Sequence, residues 1–536
     1  MVDKTTGQPR RFELWVLVAA ILASSMAFID GSALNVALPA LQEDLGATGS
    51  EVLWIVNGYL LMLASLILVG GSLGDLYGRR RVFAVGIGLF TAASSACGLA
   101  PTTGVLIVAR VVQGLGAALM VPGSLAIISA AFPPERRGQA IGTWSAFSTI
   151  TTIGGPVIGG FLAQAGLWRF VFFINLPLGA IALYALLTYV PESRNEQAPR
   201  GLDIRGALLN VVALGAMTFG FIELGRLGIA DGLQSPVVLA SLAAGVIGLV
   251  VFVLAEAKSA HPMVPLGLFR SRTFSGVNLM TLFLYAGLTG VFFFTSLNLI
   301  QIQGYSESFA GLTFIPFTIL LALLSRWSGG LIARYGPRLP LTVGPSIVGV
   351  SFILLALPGK TAGESAFFTT YFPAIVLSGI GMGVTVAPLT TAVMGAVSTS
   401  YSGVASGVSN AITRTAQVLA TAIFGAIMLV MFSGSLTAQV DTLDLSDAQR
   451  ATVLAEAQKL GGAQVPDTLV AAQADAVQAA YDAAFIAGYR VVAVVSAILA
   501  WISAIIAWLW LENRLVPLDD AVIQNQQADA LEGTVL

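Results

Sequence analysis

Among the charged residues within long apolar runs of this chain, six form the short list of functional candidates: Asp30, Arg110, Glu223, Arg326, Arg414 and Arg490. A charge at the centre of a lipid-spanning helix costs about 2.5–3.5 kcal/mol on insertion scales, so each calls for a partner or a task. Asp30 and Arg110 are the pair that chemistry selects. Counting from Pro39 and Gly104 at the helical rise puts them roughly 13 Å and 9 Å below the same face. A carboxyl beside a cation stays ionised, whereas burial without one favours its protonated form. A change of partner would therefore load or unload a proton at Asp30, which is the requirement for proton-coupled exchange. The alternative is a permanent ion pair that pins two helices together. Arg414 lies roughly 16 Å from the other face. Asn410 and Gln417 stand at i−4 and i+3 from it and form a polar stripe along one side of a helix. Glu223 is near a run's outer end beside Arg226, where a snorkelling interfacial acid is the alternative reading. Arg326 and Arg490 are nearer helix ends.

The elements that position these residues follow from composition. The chain has 536 residues, 56% hydrophobic and 10% charged, with mean hydropathy +0.86. Soluble chains carry about a quarter charged residues, so an all-α polytopic membrane protein is predicted. Fourteen apolar runs reach the roughly 20 residues that a bilayer needs. They cover 13–38, 52–74, 82–100, 104–131, 139–164, 169–190, 205–225, 236–257, 274–300, 309–333, 339–357, 367–393, 404–432 and 483–511. The first is too long for a signal peptide and reads as an uncleaved span. Basic residues collect on one side of this topology, among them Lys4, Arg79, Arg80, Arg81, Arg136, Arg137, Arg200, Arg334 and Arg338. Only Arg169, Arg226, Lys360, Arg450 and Lys459 fall on the other, which predicts both termini in the cytoplasm.

A duplication organises the spans. Gly329–Arg338 aligns without a gap on Gly71–Arg80, keeping the first glycine, the leucine, the Tyr-Gly pair and the last arginine. Ala333 replaces Asp75, and Pro337 replaces Arg79. Spans 1–6 and 9–14 therefore correspond, and two six-helix bundles related by a pseudo-twofold axis are predicted. The expected parts are a bundle over 1–192, two inserted helices over 193–260, a second bundle over 261–515 and a tail over 516–536. Within 433–482 Ser446 is a helix N-cap and Gly461 a helix terminator, giving a helical hairpin outside the membrane. A polar loop is the alternative there. One cysteine, Cys97, and one histidine, His261, exclude an intrachain disulfide and a His/Cys metal site. Net charge −2 gives no sign of a nucleic-acid partner. Pro358-Gly359-Lys360-Thr361 is similar to the end of a phosphate loop, but Leu354 stands where its first glycine belongs. No cofactor is expected, and the energy source would be a proton gradient.

Three ordered motifs carry a resemblance. Gly71, Leu73, Asp75, Gly78, Arg79 and Arg80 resemble the G-x-L-x-D-x-x-G-R-[RK] signature between spans 2 and 3 of the major facilitator superfamily. Leu106, Arg110, Gln113, Gly114 and Gly116 resemble that superfamily's fourth-span motif, to which proton transfer is attributed. Gly155, Pro156, Gly159 and Gly160 resemble its antiporter motif, with Thr151 where the leading glycine belongs. Asp30–Pro39 is similar to the first-span motif of its fourteen-span drug:proton antiporter group. The resemblance implies a proton-coupled exporter of hydrophobic, often cationic, drugs or antibiotics in a bacterial plasma membrane, working as a monomer. Asp30, Arg110 and Glu223 would serve coupling or substrate. Asn35, Gln113, Asn410, Arg414 and Gln417 would add polar groups to a central cavity. The signature from Gly71 to Arg80 would gate the cytoplasmic side. A dedicated exporter of one metabolite, peptide or lipid is the alternative within transport. A membrane-embedded enzyme, which would need a catalytic cluster, is the remote one.

Overall fold

A computed structural model describes residues 10–194, 201–259, 262–398, 401–515 and 517–518. The expectations attached to Lys4, Arg200, His261 and most of the tail lie outside these residues. Fourteen helices in the described residues are long and apolar enough to cross a membrane. In order they are Phe12–Leu45, Gly49–Tyr77, Arg79–Gly98, Thr103–Ala131, Glu135–Gln164, Phe170–Tyr189 and Ile204–Gly232. Pro236–Lys258, Arg272–Ile302, Glu307–Ser328, Arg338–Ala356, Phe372–Gly395, Ser402–Val440 and Ala471–Trp510 complete them as spans 8 to 14. Many begin at a side-chain cap. Thr48 and Glu51 form a capping box at span 2, and Thr102, Ser235, Ser271 and Ser306 each accept a backbone N–H at a later span's start.

Packing repeats between the two sets of six. Span 1 packs on 5 and 6, span 4 on 2 and 3, and span 3 on 6. Spans 9 to 14 reproduce the same pairings shifted by eight: 9 on 13 and 14, 12 on 10 and 11, and 11 on 14. Across the middle, span 2 meets span 13 and span 5 meets span 10, a pair of seams that the same shift exchanges. Span 7 lies against spans 2 and 13, and span 8 packs on span 7. We refer below to the basic end, where Arg79–Arg81 lie, and to the opposite, capped end.

The turn between spans 2 and 3 rests on an interaction that its own motif does not contain. Gly78 has φ +111°, a conformation that an L side chain rarely adopts. The Glu192 carboxylate, just past span 6, accepts the backbone N–H groups of Arg80 at 3.0 Å and Arg81 at 3.2 Å. An anion thereby satisfies donors that span 3 leaves open at its N-terminus. A β-carbon on Gly78 would come within 2.6 Å of that carboxylate. Asp75 accepts from Arg79 Nε at 2.9 Å and Nη2 at 2.8 Å, both onto Oδ1. Arg80 Nη2 donates to the Leu187 carbonyl at 2.6 Å, tying the turn to span 6. In the second copy Gly336 takes φ +71°, and the Asn513 carbonyl occupies the place beside it. Arg338 there lies 4.0 Å over the Trp508 ring of span 14. Gly78→Ala is expected to destabilise the protein by about 1–3 kcal/mol through backbone strain and displacement of Glu192. Thermal unfolding in detergent would read this, with Gly88→Ala as control, because a β-carbon there meets nothing within 4 Å.

The 433–482 segment departs from the expected hairpin. Span 13 continues as helix to Val440 and span 14 already begins at Ala471. Apolar positions stay buried along both extensions, at Leu436 and Val440 and at Val477, Ala480 and Tyr481. Nothing therefore stops either helix at the lipid boundary. Ser446 does cap a short helix, Asp447–Ala455, which is followed by a 3₁₀ turn over Glu456–Gly462. The positive-φ residue in this turn is Leu460, at φ +55°, which kinks it ahead of its end, and not Gly461. Gly461 is needed instead for close approach, since a β-carbon there would lie 2.5 Å from Gln301.

Candidate functional site

Asp30 and Arg110 meet, and they meet in the dark. Arg110 Nη1 donates to Asp30 Oδ2 at 2.5 Å, and both side chains are essentially without solvent exposure. Gln113, one helical turn beyond Arg110, closes a ring. Its Oε1 accepts from Arg110 Nη1 at 2.7 Å while its Nε2 donates to Asp30 Oδ1 at 2.8 Å. Gln113 thus belongs to the sealed cluster and not to the cavity wall expected for it. The physical reason is satisfiability: a carboxylate away from water needs donors on both oxygens, and one guanidinium edge supplies only one here.

Two neighbours of the cluster carry no signal in the sequence. Arg110 Nε donates to the Ile55 carbonyl at 3.1 Å, and the Tyr59 ring lies 4.4 Å from the guanidinium carbon. The fourth-span glycines put Tyr59 there. A β-carbon on Gly114 would fall 2.3 Å from the Tyr59 carbonyl, and one on Gly116 would fall 2.5 Å from the Phe90 nitrogen. Their bare backbones draw spans 2 and 3 onto span 4, so the motif's glycines and its arginine act together. Cys97 completes the cluster, its thiol donating to Gln113 Oε1 at 3.5 Å.

The span 5 motif forms the joint between the halves at the capped end. β-Carbons on Gly155 and Gly159 would collide with Ser32 and with the Ala33 carbonyl of span 1. One on Gly160 would lie 2.2 Å from the Glu307 carbonyl of span 10, and one on Gly311 would lie 2.3 Å from the Pro156 carbonyl. Four glycines thus let spans 1, 5 and 10 touch backbone to backbone. Thr151, in the place of the leading glycine, sits short of this contact and donates to its own helix at Phe147 and Ser148. A clasp lies over the joint. Gln301 Nε2 donates to Gln42 Oε1 at 2.9 Å, and Gln42 Nε2 donates to the Lys459 carbonyl at 2.9 Å.

Nearer the basic end a cavity of about 270 Å³ lies between spans 9, 12 and 13. Asn410, Thr413, Arg414 and Gln417 line it from span 13 together with Ser406 and Ser409. Tyr285, Leu389, Thr390, Val393 and Met394 complete its wall. The predicted stripe on span 13 is therefore brought together. Arg414 Nη1 donates to Gln417 Oε1 at 3.0 Å, while Asn410 donates to its own helix at Ser406. Asn35 is half-buried and is not in this wall. Glu223 joins neither group: its carboxylate takes Arg226 Nε at 2.8 Å and Nη2 in a bidentate pair. Arg490 donates to the Ala356 and Leu357 carbonyls at the end of span 11.

This arrangement has known counterparts. A model of the Major Facilitator Superfamily matches residues 20–421. The chain is 35% identical over 447 residues to "Multidrug resistance protein Stp" of Mycobacterium tuberculosis, an alignment covering 83% of this chain and 81% of that one. It is 34% identical over 429 residues to the "Tetracenomycin C resistance and export protein" of Streptomyces glaucescens, covering 80% and 78%. Among solved structures, a bacterial homolog of the human lysosomal transporter Spinster, inward-facing and unoccupied, superposes with TM-score 0.65 at 18% identity, covering 95% of this chain and 100% of that one. That likeness concerns the fold. With fourteen spans, a duplicated packing scheme and relatives alike over most of their length, the chain belongs to the Major Facilitator Superfamily and is a multi-pass membrane transporter, not an enzyme.

Proposed function

We propose that this protein is a proton-coupled antiporter that exports small hydrophobic compounds, drugs or antibiotics among them, by alternating access. The observation that carries the reading is the wholly buried Asp30 carboxylate held by Arg110 and Gln113. With the capped end closed, Arg110 and Gln113 hold the carboxylate between them, shut off from solvent. Opening that end parts the Gln42–Gln301 clasp and the Gly160–Glu307 joint, and a path from the capped face to Asp30 follows. A proton taken up there weakens the pair with Arg110, and its release on the other side resets it. The proton gradient is the only energy source required. Names of relatives point the same way on cargo, with multidrug, tetracenomycin C and puromycin resistance among them.

The moving bodies in this reading are the bundles within 1–192 and 261–515, with the 193–260 insert riding on spans 2 and 13. The turn at Asp75 and Arg79, doubled imperfectly at Ala333 and Pro337, makes the latch at the basic end stronger on the first half. The excess of arginine in the basic-end loops supports a cytoplasmic location for that end and for both termini, in a bacterial plasma membrane. One chain contains both halves, so a monomer in the lipid bilayer suffices. The test is efflux of ethidium, rhodamine 6G and fluorescein from cells expressing the protein, with and without a protonophore. At least one dye leaving in a protonophore-sensitive way is expected. Export that persists when the gradient is collapsed overturns proton coupling. Transport of none of the three, beside a relative's activity in the same cells, replaces the broad exporter by a dedicated one.

A further inference from the structure

The exporter of the preceding section, on which this step rests, is expected by resemblance to favour cations, yet the charges inside its spans point elsewhere. Asp30 is answered by Arg110, Glu223 by Arg226, and Asp482 by Lys360. Glu256 is buried in the last turn of span 8, where its Oε2 accepts the Val264 N–H at 2.9 Å. None of these carboxylates lines the cavity between spans 9, 12 and 13. The cavity wall itself contains no acid, and Arg414 is its one charged residue.

Arg414 is built to receive something. One edge of its guanidinium is anchored by Gln417 Oε1, and its remaining donors have no partner among the described residues. The group is half-buried, so its field is screened less than that of a surface arginine. Asn410 and Thr413 flank it on the same helix face, and Tyr285 and Met394 offer apolar area opposite. A planar fork of donors beside a polarizable wall recognises a planar oxyanion on a ring system.

We infer that the cavity between spans 9, 12 and 13 binds hydrophobic anions, molecules carrying an ionised carboxyl, phenol or enol oxygen on an aromatic or polycyclic frame, with Arg414 as their charge-selecting residue. A permanent cation of the same size meets an uncompensated like charge there and is disfavoured.

Fluorescein and rhodamine 6G share a xanthene frame with opposite charge, which makes them the probes. In proteoliposomes with an imposed proton gradient, wild type is expected to move fluorescein several times faster than rhodamine 6G. Arg414→Gln should lower the fluorescein-to-rhodamine ratio roughly tenfold, the worth of one charge-assisted hydrogen bond, and Arg414→Lys should recover part of it. Binding of fluorescein to the purified protein, read by anisotropy, is measured beside transport, with thermal unfolding as the check on folding. A wild type that prefers rhodamine 6G, or a ratio unchanged in a folded Arg414→Gln, overturns the inference and leaves the exporter standing. Fluorescein binding that depends on Arg414 without any gradient-driven transport does the reverse. Absence of fluorescein binding to wild type also overturns the site.

Discussion

Asp30→Asn is expected to abolish proton-driven export and to lower stability at the same time. The substitution removes the negative partner of a wholly buried arginine, and breaking such a pair costs about 3–5 kcal/mol. Gln113 cannot compensate, because its oxygen already accepts from Arg110, and the new amide keeps one acceptor but turns its N–H groups toward either Arg110 Nη1 or Gln113 Nε2, both donors. Loss of activity alone would therefore not separate coupling from folding. The double variant Asp30→Asn/Arg110→Gln does. With no charge left in the cluster, much of the lost thermal stability should return, since a buried ion pair replaced on both sides is often close to neutral. Export against a gradient should stay absent, and so should the acidification that substrate causes in weakly buffered detergent solution. If the double variant pumps, Asp30 is a structural pin between spans 1 and 4, and proton coupling must be sought elsewhere, beginning with Glu223.

Gly160→Ala is expected to disable transport with the fold preserved, by holding the capped end open. Its β-carbon would stand 2.2 Å from the Glu307 carbonyl, so spans 5 and 10 must separate by over about 1 Å to reach normal contact. Overpacking of this kind costs about 1–3 kcal/mol, and the cost falls only on the conformation in which the halves touch. That bias shifts the equilibrium away from the closed capped end by roughly 5- to 150-fold. Cysteines at Gln42 and Gln301, whose side chains are hydrogen-bonded at 2.9 Å, would report the shift by cross-linking in a Cys97→Ala background. Cross-linking should drop in Gly160→Ala and persist in Gly154→Ala, where a β-carbon finds only Ile158, at 3.9 Å. Equal cross-linking in both would mean that the joint tolerates the methyl group and does not gate the capped end.

Much of this protein is legible without coordinates because lipid imposes local rules. Each span must satisfy its own backbone hydrogen bonds and be apolar over the bilayer's depth, so fourteen runs announce fourteen helices. Depth is also local, a fixed rise per residue, and that places Asp30 and Arg110 at one level before any fold is known. The repeat between Gly71–Arg80 and Gly329–Arg338 carries the pairing scheme of the two sets of six helices. What a helix faces is not local, because rotation about its axis is settled by its neighbours. Gln113 turns into the cluster instead of the cavity and Tyr59 covers Arg110, both as consequences of how the helices are turned. Contacts between parts distant in the chain are equally invisible. Glu192 caps span 3 from beyond span 6, and residue 459 reaches Gln42 because spans 13 and 14 extend past the bilayer and carry their connection over the joint. The residue types and their depths were thus set by the sequence alone, while the partner of each charge, and so its chemistry, was set by the packing of the helices.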